Sequence, residues 1–416
     1  MKRYSLVISL VLIFAFLASC TIVIKTTPPK TWQSMFGGTG EEQVASIVQT
    51  SYGYIGTGYT TSKGSGMKDL YIFKLDENGG LMEEEDVYGG SDNDEGLCIQ
   101  KTSDGGYIVA GYTTSYTNDE DVWVVKLDVN GELEWGKSYP NAGDDRANCI
   151  QETSDGNYVL TGYTTVTVTA NSQNSGNKDV LFLEIDSDGN IVNGPKRFGG
   201  TNIDEGKWVQ QTKDGGYIIA GYTNSFGEGG NDMYNDMYIV KLDSNGDYEW
   251  DKTYGGLNND IANGIVQSDD GNYLFAGSMG GSSILTSQLY VAKISATGQH
   301  NVLWSKTYGG NYVNSAYSIQ KTKDGGYILA GVKDFQLLSP IPFSATGDAY
   351  VLKLDPNGNK VWERSYSEGE LTAAYSVRQT SDGGYIVGGM LKQTNDDPSD
   401  AYVLKLDQQG QINLDQ

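Results

Sequence analysis

The chain of 416 residues is poor in histidine, cysteine and positive charge. Its one histidine, His300, excludes a metal centre built from several histidines and leaves a single candidate base for a Ser-His-Asp arrangement. The 29 lysines and arginines stand against 53 aspartates and glutamates, which gives a formal net charge of −24. Nucleic acid and anionic membrane surfaces repel so acidic a chain, so we expect no nucleic-acid partner.

Two of the three cysteines, Cys98 and Cys149, occupy equivalent places in a repeated segment of the chain. Equivalent places point in the same direction, so the two side chains are not expected to face each other or to form a disulfide. We interpret both as small buried residues.

Long apolar runs are also scarce. The run from Leu6 to Leu17 follows Lys2 and Arg3 and is too short to span a bilayer comfortably, which is typical of a signal peptide. Its ending, LASC, resembles the bacterial lipobox, and this resemblance implies that Cys20 carries the lipid, palmitate included, and begins the mature protein. An ordinary signal peptide with a chance cysteine is the alternative.

This interpretation divides the chain into a signal peptide (1–19), a lipidated N terminus with a tether (20–30) and a single domain (31–416). It predicts a protein of the cell envelope, held by its lipid at the outer membrane or at the outer face of the cell membrane. We expect a monomer that meets the membrane through this lipid alone.

The chain contains a sequence motif that recurs seven times. Its clearest copy is DGGYIVAGYT at 104–113. Self-similarity at a spacing of 51 to 59 residues is typical of a repeat fold. The copies are anchored by Tyr54, Tyr107, Tyr158, Tyr217, Tyr273, Tyr327 and Tyr385.

Each repeat contains four runs rich in Val, Ile, Tyr and Thr, separated by Asp-Gly and Asn-Gly pairs that favour tight hairpins. A repeat is therefore predicted to be a four-stranded antiparallel meander, with strands A to D. Seven such sheets bury their apolar faces when they pack radially, so the chain is predicted to be an all-β, seven-bladed β-propeller. A stacked solenoid is the alternative, but the polar end caps that it needs are absent.

The ends of the chain predict how the ring closes. Residues 31–38 match the fourth strands of other repeats, such as 250–256, but precede the first repeat. We expect this segment to form the outer strand of the seventh blade, with the tail around Ile412 as a competitor or neighbour.

Acidic residues recur in the links between strand D and the next strand A, as in Asp94-Glu95 and Asp204-Glu205. Glycoside hydrolysis needs two carboxylates at a set separation, so a carboxylate-rich channel mouth is one hypothesis for a site. Their repetition instead favours hydrogen bonding in the loops. The Asp-x-Asn/Asp-Gly turns, such as 128–131, lack the downstream acid of a calcium loop. We predict no catalytic residue, metal or cofactor.

Specificity is expected where the repeat is broken. Three B–C loops are long: 166–178, 225–235 and 334–347. The third is apolar, and it either binds a partner or folds back over its blade. The candidate partner-binding residues are Phe226, Tyr234, Asp236, Phe335, Leu337, Leu338, Ile341 and Phe343.

The composite pattern DGGYIVAGYT, then DVWVVKLDVNG, then a segment such as WDKTYGG resembles a group of exported bacterial and archaeal propeller-repeat proteins. The resemblance implies a surface or lipoprotein module, and related propellers include quinone-cofactor dehydrogenases and glycan-active proteins. No catalytic residue carries across. The leading hypothesis is a binding module for a protein or glycan at its loop face; the alternatives are a glycoside-cleaving enzyme and, third, a redox propeller.

Overall fold

A computed structural model of the chain describes residues 30–82, 85–117, 119–165, 177–227, 234–281, 286–338 and 344–412. Within these ranges the chain forms strands and turns and contains no helix, so no helix there is suited to crossing a membrane. Cys20, most of the expected tether and the signal peptide lie outside the described residues.

The strands, in chain order, are β1 (Trp32–Phe36), β2 (Glu42–Gln49), β3 (Gly53–Thr60), β4 (Asp69–Asp76), β5 (Asp86–Tyr88), β6 (Asp94–Lys101), β7 (Tyr107–Thr113), β8 (Asp121–Leu127), β9 (Leu133–Tyr139), β10 (Asp145–Glu152), β11 (Tyr158–Thr165), β12 (Lys178–Ile185), β13 (Ile191–Phe198), β14 (Asp204–Gln211), β15 (Tyr217–Thr223), β16 (Asp236–Leu242), β17 (Tyr248–Tyr254), β18 (Asp260–Gln267), β19 (Tyr273–Gly280), β20 (Ser287–Ile294), β21 (Val302–Tyr308), β22 (Val313–Lys321), β23 (Tyr327–Leu338), β24 (Ser344–Leu354), β25 (Lys360–Tyr366), β26 (Leu371–Gln379), β27 (Tyr385–Lys392) and β28 (Asp400–Leu406).

Successive strands pair antiparallel in groups of four, and the groups are the blades of a seven-bladed β-propeller. Blade 1 is β2 to β5, blades 2 to 6 each take the next four strands, and blade 7 consists of β26 to β28 with β1. The first strand of each blade, strand A, is innermost and packs on strand A of its neighbours. The circle closes where Ser381 N donates to Gln49 Oε1 at 2.8 Å, joining blade 7 to blade 1. The predicted fold is confirmed.

The N-terminal segment supplies the missing outer strand of blade 7, as predicted. Strand β1 pairs antiparallel with β28, in a register that places Trp32 opposite Lys405 and Phe36 opposite Ala401. Ile412 packs against the hydrophobic cluster of the last blades, but the edge of β28 belongs to β1. Both chain ends therefore hold the same blade, which leaves no open sheet edge at the closure.

Every strand A contains a β-bulge next to a glycine of strand B. In blade 2 the pairing of β6 with β7 shifts between Gly96 and Cys98, so Leu97 is the extra residue. A Cβ atom on Gly111 would lie 1.8 Å from the carbonyl oxygen of Glu95, closer than real atoms approach. The glycine of the AGYT part of the repeated motif therefore permits the bulge. The bulge in turn rotates one side chain per blade toward the central channel.

Neighbouring blades are clamped by the aromatic residues of strand D. Trp135 Nε1 donates to the carbonyl oxygen of Ser187 at 3.2 Å, and the Tyr139 hydroxyl donates to that of Gly189 at 2.9 Å. Trp362 and Tyr366 make the same two contacts with the C–D turn of blade 7. The tryptophans of strand D therefore serve the contact between blades.

Candidate functional site

The B–C loops and the D–A links share one face of the propeller, which we call the loop face. Thr114 N, after strand B of blade 2, donates to the carbonyl oxygen of Asn93 in the preceding link at 2.8 Å. Thr61 N makes the equivalent bond to Glu41 in blade 1. The sequence places its candidate partner-binding residues on this face.

Phe226 and Asp236 come together in a groove between blades 4 and 5, which we call the 4–5 groove. It encloses about 690 Å³. Phe226 is 38% exposed and packs on the ring of Tyr238, with 5.8 Å between the ring centres. Asp236 is only 1% exposed, so it forms part of the groove's inner wall. The remaining wall includes Tyr254, Met279, Tyr290, Asp251 and Lys252.

Similar but smaller grooves lie between blades 1 and 2 (about 480 Å³) and between blades 2 and 3 (about 340 Å³). In the first of these, Tyr116 holds the place of Phe226: it follows strand B of blade 2 and meets Trp123 edge-on at 6.2 Å. Tyr116 is 60% exposed and was missed by sequence analysis because its loop is short. An aromatic residue stacked beside strand C is thus a recurring feature of this face.

Most of the third long segment, 334–347, is regular β-structure. Strands β23 and β24 extend past the blade as a hairpin, in which Gln336 pairs with Thr346 and Leu337 with Ala345. The prediction of an irregular loop from 334 was wrong because these residues alternate outward and inward and complete each other's hydrogen bonds. Asp334, with φ of 53°, marks the bend between blade and extension.

The side chains of this hairpin divide between two environments. Leu337 is 65% exposed, whereas Phe335 is half-buried opposite Val313 of strand A. Tyr234 of the second loop is half-buried beside Asn258 and Asn259. The backbone of Leu338 ends β23, and Ile341 and Phe343 lie outside the described residues, as does most of the first loop, 166–176.

The repeated acids of the D–A links are buried and hydrogen-bonded. Asp204 is fully buried and accepts from Gly200 N and from the Ser225 hydroxyl, both at 2.7 Å. Asp94 makes the equivalent bonds to Gly90 and Ser115 in blade 2. These carboxylates fasten the B–C loops to the links, which supports the structural interpretation over a role in glycoside hydrolysis.

Several of these acids face a second buried acid at the start of strand C. Burial and then the nearby charge of Asp204 raise the pKa of Asp179 to about 6. Burial, followed by weaker influences that include Asp121, raises the pKa of Asp145 to about 6. One oxygen of each of Asp121, Asp145, Asp179 and Asp204 has no hydrogen-bond partner. The scaffold therefore holds carboxylates in surroundings that disfavour their charge.

His300 is a packing residue of the blade 5 turn. Its ring stacks on Trp250 with 3.8 Å between centres, and its Nδ1 lies 3.2 Å from the carbonyl oxygen of Ser295. Its own carbonyl oxygen accepts from Tyr254 at 2.6 Å. Its stacking gives this enlarged turn the interblade contact that other blades make with glycine turns.

The two internal cysteines are buried free thiols, as expected. Cys98 Sγ donates to the carbonyl oxygen of Ile150 at 3.7 Å and Cys149 Sγ to that of Val209 at 3.9 Å. The two thiols were not expected to face each other, but they lie close enough that Cys149 lowers the pKa of Cys98, while burial raises the pKa of Cys149. The bulges explain the difference, since they turn strand A side chains toward the neighbouring blade.

The central channel is lined by one bulge residue from each blade, and sequence analysis did not identify this set, which we call the channel ring. All seven are half-buried, and all except Lys207, which precedes the half-buried Trp208, lie between buried neighbours. They are Ala45, Leu97, Asn148, Lys207, Asn263, Tyr317 and Tyr375. The available signal was a variable position in the middle of an otherwise repeated strand.

No protein-family model and no curated protein matches the chain. Among solved structures, a puromycin hydrolase is similar with a TM-score of 0.52 and 10% identity, over 92% of this chain and 55% of that one. Sqt1 from Chaetomium thermophilum (TM-score 0.47, 13% identity) is matched over 90% of this chain and 100% of its own. A glucose dehydrogenase (0.42, 12%) is matched over 74% and 95%. At 10% identity the likeness to the puromycin hydrolase shows the fold alone and no activity.

Proposed function

We propose that the chain is a lipid-anchored, extracytoplasmic binding propeller that holds a glycan in the 4–5 groove of its loop face. The observation that carries the proposal is the composition of this groove. The exposed ring of Phe226 and the half-buried ring of Tyr254 line it together with Asp251 and Lys252, over the buried rings of Tyr238 and Tyr290. Aromatic faces that stack on sugar rings, beside charged groups that bond hydroxyls, suit a carbohydrate chain.

Binding is favoured over hydrolysis because the acids near the channel mouth are engaged in the scaffold. Asp204 and Asp94 each accept two hydrogen bonds that hold loops in place. A general acid must reach the leaving oxygen of the substrate, and a fully buried carboxylate does not.

The test compares two variants in the full chain, Phe226→Ala and Tyr116→Ala, against a panel of cell-envelope polysaccharides in affinity electrophoresis. Tyr116 is the matched control because it holds the same position in blade 2. Loss of stacking at Phe226 is expected to weaken glycan binding about three- to tenfold, equivalent to about 0.5–1.5 kcal/mol, with Tyr116→Ala unchanged. Equal binding by both variants and the wild type removes the groove from the proposal.

Reducing ends are measured on the same samples. Their release by the wild type overturns the proposal in favour of a glycoside-cleaving enzyme. A protein ligand is the outcome if no glycan binds while an envelope protein is retained in a manner that depends on Phe226.

Anchoring and export rest on the lipobox-like ending at Cys20. Cell fractionation and palmitate labelling test them: the wild type is expected in the membrane fraction with label, and Cys20→Ser without label. Label retained by Cys20→Ser contradicts the assignment.

A further inference from the structure

The centre of the channel contains a cavity distinct from the 4–5 groove. It encloses about 200 Å³ and is lined by members of the channel ring and by the residues that follow them. Two tyrosines, Tyr317 and Tyr375, contact each other with 5.3 Å between ring centres. Trp208 and Arg378 complete an aromatic and cationic part of the wall. The space is that of several water molecules, which suits a small organic molecule.

Arg378 departs from the repeat at a cost to the scaffold. Three residues after the bulge residue, blades 2, 3, 4 and 6 have glutamine, as at Gln151 and Gln210, and blades 1 and 5 have valine. Gln151 Oε1 accepts from Gln211 N of the next blade at 2.8 Å, and Gln210 Oε1 accepts from Gln267 N at 2.7 Å. Arginine has no acceptor, so the same bond from blade 1 to blade 7 is lost.

Within the described chain, Arg378 interacts electrostatically with the buried thiols of Cys98 and Cys149 rather than with a carboxylate. Its guanidinium reaches across the channel to the ring of Trp208, at 5.7 Å, and forms no ion pair with any carboxylate of the described ranges. Its Nε is buried without an acceptor. Burial lowers the pKa of this guanidinium, which expresses the cost of holding its charge there. The residue as a whole is half-buried and lines the channel cavity, so its charge is accessible to an anion that enters there.

The nearest acids of the channel wall are already engaged. Glu205 pairs with Lys207 at 2.6 Å and accepts from Tyr222 at 2.6 Å. Glu95 pairs with Lys68 at 3.4 Å and accepts from Tyr112 at 3.2 Å. Neither glutamate is paired with Arg378, which leaves the guanidinium available to an anionic ligand.

The aromatic wall adds both donors and a flat surface. Within the described chain the hydroxyls of Tyr317 and Tyr375 form no hydrogen bond. Both stay protonated, because burial raises the pKa of each. They can donate to an anion, while their rings and Trp208 accept a planar body.

We propose that the central channel cavity binds a small planar organic carboxylate, whose carboxylate is held by the Arg378 guanidinium and whose body lies among Trp208, Tyr317 and Tyr375. The planar fork of arginine matches the two oxygens of a carboxylate. The cavity is separate from the 4–5 groove, so this site goes beyond the proposed function and does not depend on it.

The test uses benzoate as the probe and the full chain, with binding followed by calorimetry and by tryptophan fluorescence. Benzamide, its neutral isostere, and acetate, which lacks the ring, are the matched ligands. Benzoate is expected to bind at least about tenfold more tightly than either (about 1.4 kcal/mol). Equal affinity for benzamide overturns the role of the charge, and no benzoate binding overturns the site.

The decisive variant is Arg378→Gln, which introduces the residue of blades 2, 3, 4 and 6 and is expected to fold at least as stably as the wild type. It is expected to lose benzoate binding by about tenfold or more (about 1.4 kcal/mol). Phe226→Ala is expected to bind benzoate like the wild type, which separates this site from the groove. Unchanged benzoate affinity in Arg378→Gln places the probe elsewhere and overturns the proposal.

Discussion

The A–B turns and the channel ring are both formed seven times by the same backbone. The residues at the turns are nearly the same in every blade, whereas those of the channel ring differ. At the turns, the aspartate that begins the repeated motif pairs with a buried lysine of strand C in blades 2, 4, 5, 6 and 7. In the channel ring the seven positions carry five residue types. Repetition marks what every blade needs in order to fold, and variation marks the places that folding leaves free.

The exceptions at the turns are themselves paired. Blade 3 has Glu184 where other blades have lysine, and there Asn157 donates to Glu184 at 3.0 Å. Blade 1 has Ser51 in place of the aspartate, and its Lys74 pairs instead with Glu132 of blade 2 at 2.7 Å. The charged side chain at this position therefore has a hydrogen-bond or ion-pair partner in all seven blades, whereas Arg378 in the channel has no ion pair with a carboxylate of the described ranges.

The largest effect is expected from breaking one turn pair. In blade 6, Lys353 is nearly buried and lies 2.9 Å from Asp324, whose side chain is 63% exposed. Asp324→Ala is expected to cost about 2–3 kcal/mol of unfolding free energy, discounted for that exposure. Asp155→Ala, the equivalent change in blade 3 where no lysine is present, is expected to cost about 1 kcal/mol for its bond with Thr153. Urea denaturation midpoints give both values, and equal costs refute the pairing argument.

The same variant carries a pH dependence. Although burial acts in the opposite direction, hydrogen bonds from Thr322 and Lys353 bring the pKa of Asp324 down to about 2. A lowered pKa means stability that is present above the unfolded value, near 4, and is lost as the pH falls toward 2. The difference between the wild type and Asp324→Ala should shrink over this interval; a difference that grows there contradicts the assignment.

An intermediate effect, of opposite sign, is expected at the repeated acids of the loop face. Since burial raises the pKa of Asp145 to about 6, its folded state resists ionisation and loses stability as the pH rises from about 4 to 6. Asp145→Asn is expected to gain about 1–2 kcal/mol at pH 7 and to gain little below pH 4. In blade 6 the residue equivalent to Asp145 is already an asparagine, Asn314, which accepts from Gly310 N at 3.0 Å.

Urea denaturation of Asp145→Asn at pH 7 and at pH 4 measures this gain. Destabilisation at pH 7 would show that the charged form is needed there.

The smallest effect on stability is expected from removing a single tyrosine hydroxyl. Tyr327, a repeated tyrosine, donates its hydroxyl to Ser268 at 3.0 Å, whereas Tyr317 of the channel ring has no such bond. Tyr327→Phe is expected to cost about 1 kcal/mol, and Tyr317→Phe less than about 0.5 kcal/mol. Thermal melting of the two variants compares them, and a larger loss at Tyr317 would make the channel ring part of the scaffold.

Sequence analysis succeeded where a local rule decides the structure. The Asp-Gly and Asn-Gly pairs form the hairpins, as where Asp128 Oδ1 accepts from Asn130 N at 2.8 Å. The strand-D-like segment at 31–38 identified the closure of blade 7. At the candidate site it found Phe226 but not Tyr116, because it ranked loops by length. It took the extension of β23 and β24 for a loop, because strand pairing there depends on two segments at once.

The channel was missed for a geometric reason. A regular strand alternates its faces with a period of two, and one bulge in each strand A shifts that alternation. Which of Leu97 and Cys98 faces the channel therefore depends on where the bulge falls, and the bulge is fixed by contact with Gly111 of the next strand.

The sequence by itself determined the number of blades, their hairpins and the strand that closes them, because turns and strand patterns act between neighbours in the chain. Only the tertiary structure brought Arg378, Trp208 and the two channel tyrosines together. These residues belong to blades 4, 6 and 7, and they meet because radial packing converges on one axis. The cavity that combines the Arg378 guanidinium with these aromatic rings therefore exists only in the closed ring.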